Sequence, residues 1–81
     1  MVHVELTYDF GTFVKVKCDE YHAEYCGTVV AYTVTDEGFL IWVSAYNESM
    51  TGEWLPRHVT PMTESEIQEL IAKYENENKL L

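Results

Sequence analysis

Short runs of alternating polar and apolar residues, broken by glycine, occupy the chain from Thr12 to Pro61. The residues used there are chiefly Val, Thr, Tyr, Phe and Trp, a set that packs well on a pleated, half-buried surface. In Thr12-Phe13-Val14-Lys15-Val16-Lys17-Cys18, Val14, Val16 and Cys18 fall on one face and Lys15 and Lys17 on the other. That is a strand with one wet side. After Pro61 the composition changes to Glu, Gln, Leu, Ile, Lys and Asn, which fits a helix. With 81 residues there is room for a single core, because a domain of this size buries only about 60% of its unfolded surface.

Gly11 marks a turn or a close backbone approach before the first strand. Asp19-Glu20-Tyr21-His22-Ala23-Glu24-Tyr25 reads as an ordered surface loop, and strand signal resumes from Gly27 to Val34. The turn Thr35-Asp36-Glu37-Gly38 leads into Phe39-Leu40-Ile41-Trp42-Val43-Ser44-Ala45-Tyr46. A two- or four-residue loop sets Val34 opposite Phe39, while a three-residue loop would slip the pairing by one. With Val34 opposite Phe39, Val30, Tyr32, Val34, Phe39, Ile41 and Val43 share the better core face. Val29, Ala31, Thr33, Leu40, Trp42 and Ser44 share the other. A second loop, Asn47 to Gly52, precedes a short strand around Glu53-Trp54-Leu55 that Pro56 ends; Val59 to Pro61 is a last extended piece.

Thr63 with Glu66 three residues on is a capping box, and Glu64 and Glu66 suit a helix N-terminus. Ile67, Leu70, Ile71 and Tyr74 then make one apolar stripe. Glu69 and Lys73 form an i,i+4 pair of favourable polarity. The expected helix spans about 63–75, with Glu75-Asn76-Glu77-Asn78 fraying, and covers an open end of the sheet. The expected fold is mainly β: a five-stranded barrel over 1–62, with the helix and tail of 63–81 packed on the same domain. Closure is favoured because a barrel leaves no strand edges.

Three pieces carry a resemblance to known barrels: Gly11-Thr12-Phe13-Val14-Lys15-Val16, Cys26-Gly27-Thr28-Val29-Val30, and Gly52-Glu53-Trp54-Leu55-Pro56-Arg57-His58-Val59. The first two resemble the opening of KOW- and Tudor-like barrels, including small proteins of bacteria and their phages. The third resembles the ending of SH3 domains, and Leu6-Thr7-Tyr8-Asp9-Phe10 looks like their Ala-Leu-Tyr-Asp-Tyr start. The resemblance implies an SH3-like barrel and, through Pro56 and His58, a peptide groove. It departs from SH3 domains in three ways: an ending one residue shorter, no long loop after Phe10, and no adjacent Trp pair before the third strand.

The chain carries 14 Asp and Glu against 5 Lys and Arg, a formal charge of −9. Five bases cannot neutralise a nucleic-acid backbone against fourteen acids, so direct nucleic-acid binding is disfavoured. At 47% hydrophobic and 14% aromatic the chain is too apolar for a disordered acidic tail. Its apolar runs are too short for a bilayer crossing, and Met1 to Leu6 lacks the features of a signal peptide. The expected location is cytoplasmic.

Cys18, His22 and Cys26, with His58 or His3 as a fourth donor, could be drawn as a zinc site. The paired C-x2–4-C spacing of structural zinc is missing, and small buried cysteines at neighbouring strand ends explain the pattern better. The same placement would allow a disulfide, which a cytoplasmic location argues against. Cys26, His22 and Asp19 share a loop but do not by themselves make a nucleophile and base. The expectation is no enzyme, no cofactor and no metal.

The aromatic residues are more informative, because Tyr21, Tyr25, Tyr32, Trp42, Tyr46 and Trp54 are too many for so small a core. Asp19, Glu20 and Glu24 flank Tyr21 and Tyr25, while Glu48 and Glu53 lie near Tyr46 and Trp54. The expected binding surface comprises Asp19, Glu20, Tyr21, Glu24, Tyr25, Trp42, Tyr46, Trp54, Pro56 and His58, and suits a protein or peptide with a basic surface. Two alternatives belong to other classes. One is an inhibitor from a phage or mobile element whose carboxylates imitate nucleic acid in a host enzyme's cleft. The other is an assembly component that uses its helix stripe or Leu80-Leu81.

Overall fold

A computed structural model of the chain describes residues 8–46 and 48–79, with side chains through residue 76. His3, Leu6, Thr7, Asn47, Leu80 and Leu81 lie outside the described residues. The elements are β1 (Phe13–Cys18), β2 (Ala23–Thr35), β3 (Gly38–Ala45), β4 (Thr51–Trp54), a 3-10 turn (Pro56–His58), β5 (Val59–Pro61) and α1 (Glu64–Lys79). They form a five-stranded antiparallel sheet in the order β4-β3-β2-β1-β5, followed by one helix. The fold is mainly β, as the alternation predicts.

Strand pairing does not close the sheet into the expected barrel, since β4 and β5 remain its two edges. The 3-10 turn joins those edges and packs against both β1 and β3. Pro56 starts this turn, where its missing N–H costs nothing. Val14, Val16 and Val59 from one half of the sheet meet Val29, Ile41 and Val43 from the other in one buried cluster. The sheet is therefore bent around its own core. Among the described residues no helix is long and apolar enough to cross a membrane.

The hairpin register agrees with the sequence: Val34 lies opposite Phe39 and Thr35 opposite Gly38 across a two-residue turn. Gly38 takes φ +145°, and the Thr35 hydroxyl accepts from the Glu37 N–H at 3.2 Å. The face assignment is corrected at Val30. Val29 pairs with Val43 and Ala31 with Trp42, leaving Val30 as the extra residue of a bulge. Val29 is fully buried and Val30 is 46% exposed. The Val29 N–H donates to the Thr12 carbonyl at 3.0 Å, and its carbonyl accepts from Gly11 N–H at 2.8 Å. The segment before β1 thus holds Val29 in place. Val34, also expected in the core, is 58% exposed because it lies at the hairpin tip, beyond the buried cluster.

The first loop is shorter than the sequence reading. It is the four-residue turn Asp19–His22, closed by His22 in the left-handed region at φ +53°, and β2 starts at Ala23 rather than Gly27. The capping box forms as expected: the Glu66 N–H donates to Thr63 Oγ1 at 3.2 Å, and the Thr63 N–H donates to Glu66 Oε1 at 3.0 Å. The helix continues to Lys79 instead of fraying at Glu75. Asn and Glu there carry only small helix penalties, and neither Gly nor Pro stops it.

The position of α1 is a second correction, because it lies against the outer side of β1 and β2 rather than across an end of the sheet. Lys15, which alternates with buried Val14 and Val16, donates from Nζ to Glu66 Oε2 at 2.6 Å. The Tyr46 ring lies 6.0 Å from Phe13 and 5.2 Å from Tyr74. Glu66 therefore caps the helix with one oxygen and seats it with the other. The Lys15 ammonium and the Thr63 bonds hold its carboxyl down from an ordinary 4.5 to about 2, and Lys15 is raised in turn.

A depressed carboxyl pKa stabilises the folded state above the ordinary value, and the effect is lost as pH falls through about 2. The raised Lys15 acts at the other end of the scale and loses its contribution as pH rises past its folded value. A carbon-detected titration is expected to show Glu66 titrating near 2, with the Tyr74 ring signals following it. A Glu66 midpoint near about 4.3 would mean that the helix is not seated this way in solution.

Candidate functional site

The ten residues singled out by sequence do not gather in one place. Tyr25 and Trp54 lie on the inner face and pack against the core, Tyr25 opposite Val16 and Trp54 opposite Ile41. The Tyr25 hydroxyl donates to the Val43 carbonyl at 2.9 Å and accepts from Trp54 Nε1 at 2.6 Å. Burial pushes the Tyr25 phenol up. These two rings tie β2 to β4, with which it has no ladder, and add a side-chain bond to its ladder with β3. Tyr25 is a strand residue, not part of a surface loop.

Tyr46 sits between Phe13 and Tyr74 under the helix. Trp42 is half-buried on the outer face, opposite Glu53 across β3 and β4. Asp19, Glu20 and Tyr21 are exposed in the first turn, Tyr21 at 73%. Asp19 and Glu20 line an open 590 Å³ depression with Lys17, Arg57, His58 and Thr60. Glu24 is exposed opposite Lys17, and Pro56 is exposed on the 3-10 turn. The structure thus brings Asp19, Glu20 and His58 together, while Trp42 and Tyr46 stand elsewhere.

Cys18 and Cys26 do not share a site. Cys18 is buried on the core face with Val14 and Val16, whereas Cys26 pairs with Lys15 on the outer face, beside α1. Both thiols are free, and neighbouring strands place them on opposite sides of the sheet. That corrects the expected closeness and removes the geometry for a disulfide or for zinc held by Cys18, His22 and Cys26. Burial pushes the Cys26 thiol up, so the thiolate needed for reactivity is disfavoured. Among the described residues no group of three His, Cys, Asp or Glu side chains is placed to hold a metal.

Several apolar side chains near the β2–β3 hairpin tip are exposed. Phe10, 69% exposed, stands 5.9 Å from the Tyr32 ring, which meets Phe39 edge-on at 5.7 Å. Phe39 lies opposite Val34 and shares a 270 Å³ concavity with Leu40, Leu55 and Glu37. The Tyr32 hydroxyl donates to the Tyr8 carbonyl at 2.6 Å and accepts from the Tyr8 N–H at 3.1 Å, which fixes the segment carrying Phe10. Asp9 is the exposed chain neighbour of Phe10, and exposed Asp36 and Glu37 form the turn after Thr35, with Glu37 lining the concavity. Sequence reasoning assigned Val34 and Phe39 to the core, which holds for Phe39 but not for Val34, and read Phe10 only as part of a motif. The available signal was distance along the hairpin, since the core of a small domain does not extend to a turn made of two acids.

No family model, no curated protein and no solved structure matches this chain.

Proposed function

We propose that the chain is a non-catalytic protein-binding module with an SH3-like strand arrangement, and that it takes a basic segment of a partner protein. The meander, the long bulged β2, and the 3-10 turn leading to a β5 that returns to β1 support the SH3-like reading. The observation that carries the function is the run of exposed Phe10, Val34 and Leu55 beside the half-buried Tyr32 and Phe39 rings, with the exposed acids Asp9, Asp36 and Glu37 next to them in the chain. Aromatic rings supply rigid contact area at low entropy cost. Carboxylates at the border favour a cationic partner and raise its association rate. The net charge of −9 acts in the same direction over longer range.

Selection of random displayed peptides on the immobilised full chain tests this. Enriched peptides are expected to combine Lys or Arg with apolar residues. Phe10→Ala and Val34→Ser, both at exposed positions, should each weaken binding about ten-fold, or about 1.4 kcal/mol, without lowering the melting temperature. Enrichment lacking basic residues, or equal binding by both variants, would refute the reading. Capture of nucleic-acid enzymes alone, with release by added DNA, would support mimicry of nucleic acid instead.

A further inference from the structure

We propose that the outer face of β3 carries a second contact site, a receptor for an arginine side chain of a partner protein, built from the Trp42 indole and the Glu53 carboxylate. It stands on observations separate from the hairpin-tip strip. Leu40, Trp42 and Ser44 alternate with buried Ile41, Val43 and Ala45, so they occupy the outer face of β3. Glu53 is the direct neighbour of Trp42 on β4, and Ala31 its neighbour on β2.

A short relay fixes the polar groups of this face. Trp42 Nε1 donates to Thr33 Oγ1 at 2.7 Å, and the Thr33 hydroxyl donates to Glu53 Oε2 at 2.7 Å. Thr33 lies on β2 and Glu53 on β4, so the Glu53 side chain reaches across β3 to make this bond. The relay uses the positive N–H edge of the half-buried indole internally, so that a cation approaching this ring would meet its negative π face. It also holds an exposed carboxylate beside that ring, with lone pairs still free to accept.

A planar guanidinium can stack on the indole while donating to the carboxylate, whereas an ammonium is more strongly hydrated and cannot stack. The ring and the acid are already ordered by the relay, so little further entropy is lost when the guanidinium binds. Trp42 and Glu53 thus make a pre-set pair that favours arginine over lysine.

The two tryptophan indole N–H signals of the full chain give the test, with hexa-arginine and hexalysine as probes at physiological ionic strength. Hexa-arginine is expected to move the Trp42 signal, at about a five-fold lower concentration than hexalysine, while Trp54 serves as the internal control. Glu53→Gln should weaken the arginine response at least about five-fold, and Thr33→Val, which cuts the relay but keeps the side-chain shape, about three-fold. Both variants are compared at an unchanged melting temperature. A Trp42 signal that does not move, equal responses to the two peptides, or equal responses with Glu53→Gln would overturn the proposal. So would perturbations centred on the α1 glutamates, which would show attraction by net charge alone.

Discussion

Gly27→Ala is expected to lower the melting temperature by at least about 12 °C, although it adds a single methyl group. Gly27 is buried in β2, paired with Val14 on one side and Ala45 on the other. A Cβ there would collide with the Ser44 carbonyl oxygen, and would lie 2.8 Å from its carbon and 3.0 Å from the Ala45 Cα. All three atoms are backbone, so no side-chain rotation relieves the contact. β2 and β3 would have to part next to the Tyr46 N–H to Cys26 carbonyl bond, now 2.9 Å. Overpacking in cores costs about 1–3 kcal/mol, and an unyielding backbone puts this site at the upper end. Each kcal/mol is worth about 4–8 °C in a domain of this length. Gly11→Ala makes the contrast. Gly11 has φ +87° but nothing within 4 Å of a new Cβ, so only backbone strain of about 1–2 kcal/mol applies. Thermal unfolding followed by circular dichroism measures both, and a Gly27→Ala shift below about 4 °C would mean that the two strands do not approach so closely.

The local devices of this fold were readable, and the way its layers meet was not. The Asp36–Glu37 turn and the Thr63–Glu66 box are set by neighbours in sequence, so their geometry follows from residue type alone. The seat of α1 depends on which outer-face groups of β1 and β2 accept it. Lys15 reads as an ordinary solvated strand lysine until its 2.6 Å bond to Glu66, fifty-one residues away, is seen. The cysteines illustrate the same limit. Cys18 and Cys26 look adjacent in a short hairpin, yet the β1–β2 register turns them to opposite faces.

The candidate surface was legible by kind more than by place. An excess of aromatic residues among acids is a property of composition, and it raised the expectation of a contact surface before any geometry was known. Which rings stay free is decided by packing. Tyr25 and Trp54 are taken up in joining β2 to β3 and β4, and Tyr46 in holding α1. Val34 was read as core because apolar residues in a strand-rich chain are read so by default, and Phe10 was read only as part of a motif. Their 58% and 69% exposure reflects a core that ends before the hairpin does.

Val29→Asp and Val30→Asp are expected to differ sharply in their cost to stability. Strict alternation from the Val34–Phe39 pair puts Val30 inside and Val29 outside, so it predicts that Val30→Asp is the damaging change. The bulge reverses this. One extra residue at Val30 shifts the register between Ala31–Trp42 and Val29–Val43, and brings Val29 into the cluster with Val14, Val16 and Ile41. A carboxylate at Val29 would be buried without a partner and should cost about 3–5 kcal/mol, enough to unfold much of a domain whose stability is about 0.05–0.15 kcal/mol per residue. At Val30, nearly half exposed, the change costs only strand preference, below about 1 kcal/mol. Urea unfolding of the two variants decides between the registers. Equal losses, or a larger loss at Val30, would place the bulge elsewhere, and with it the side of the sheet on which Val29 stands.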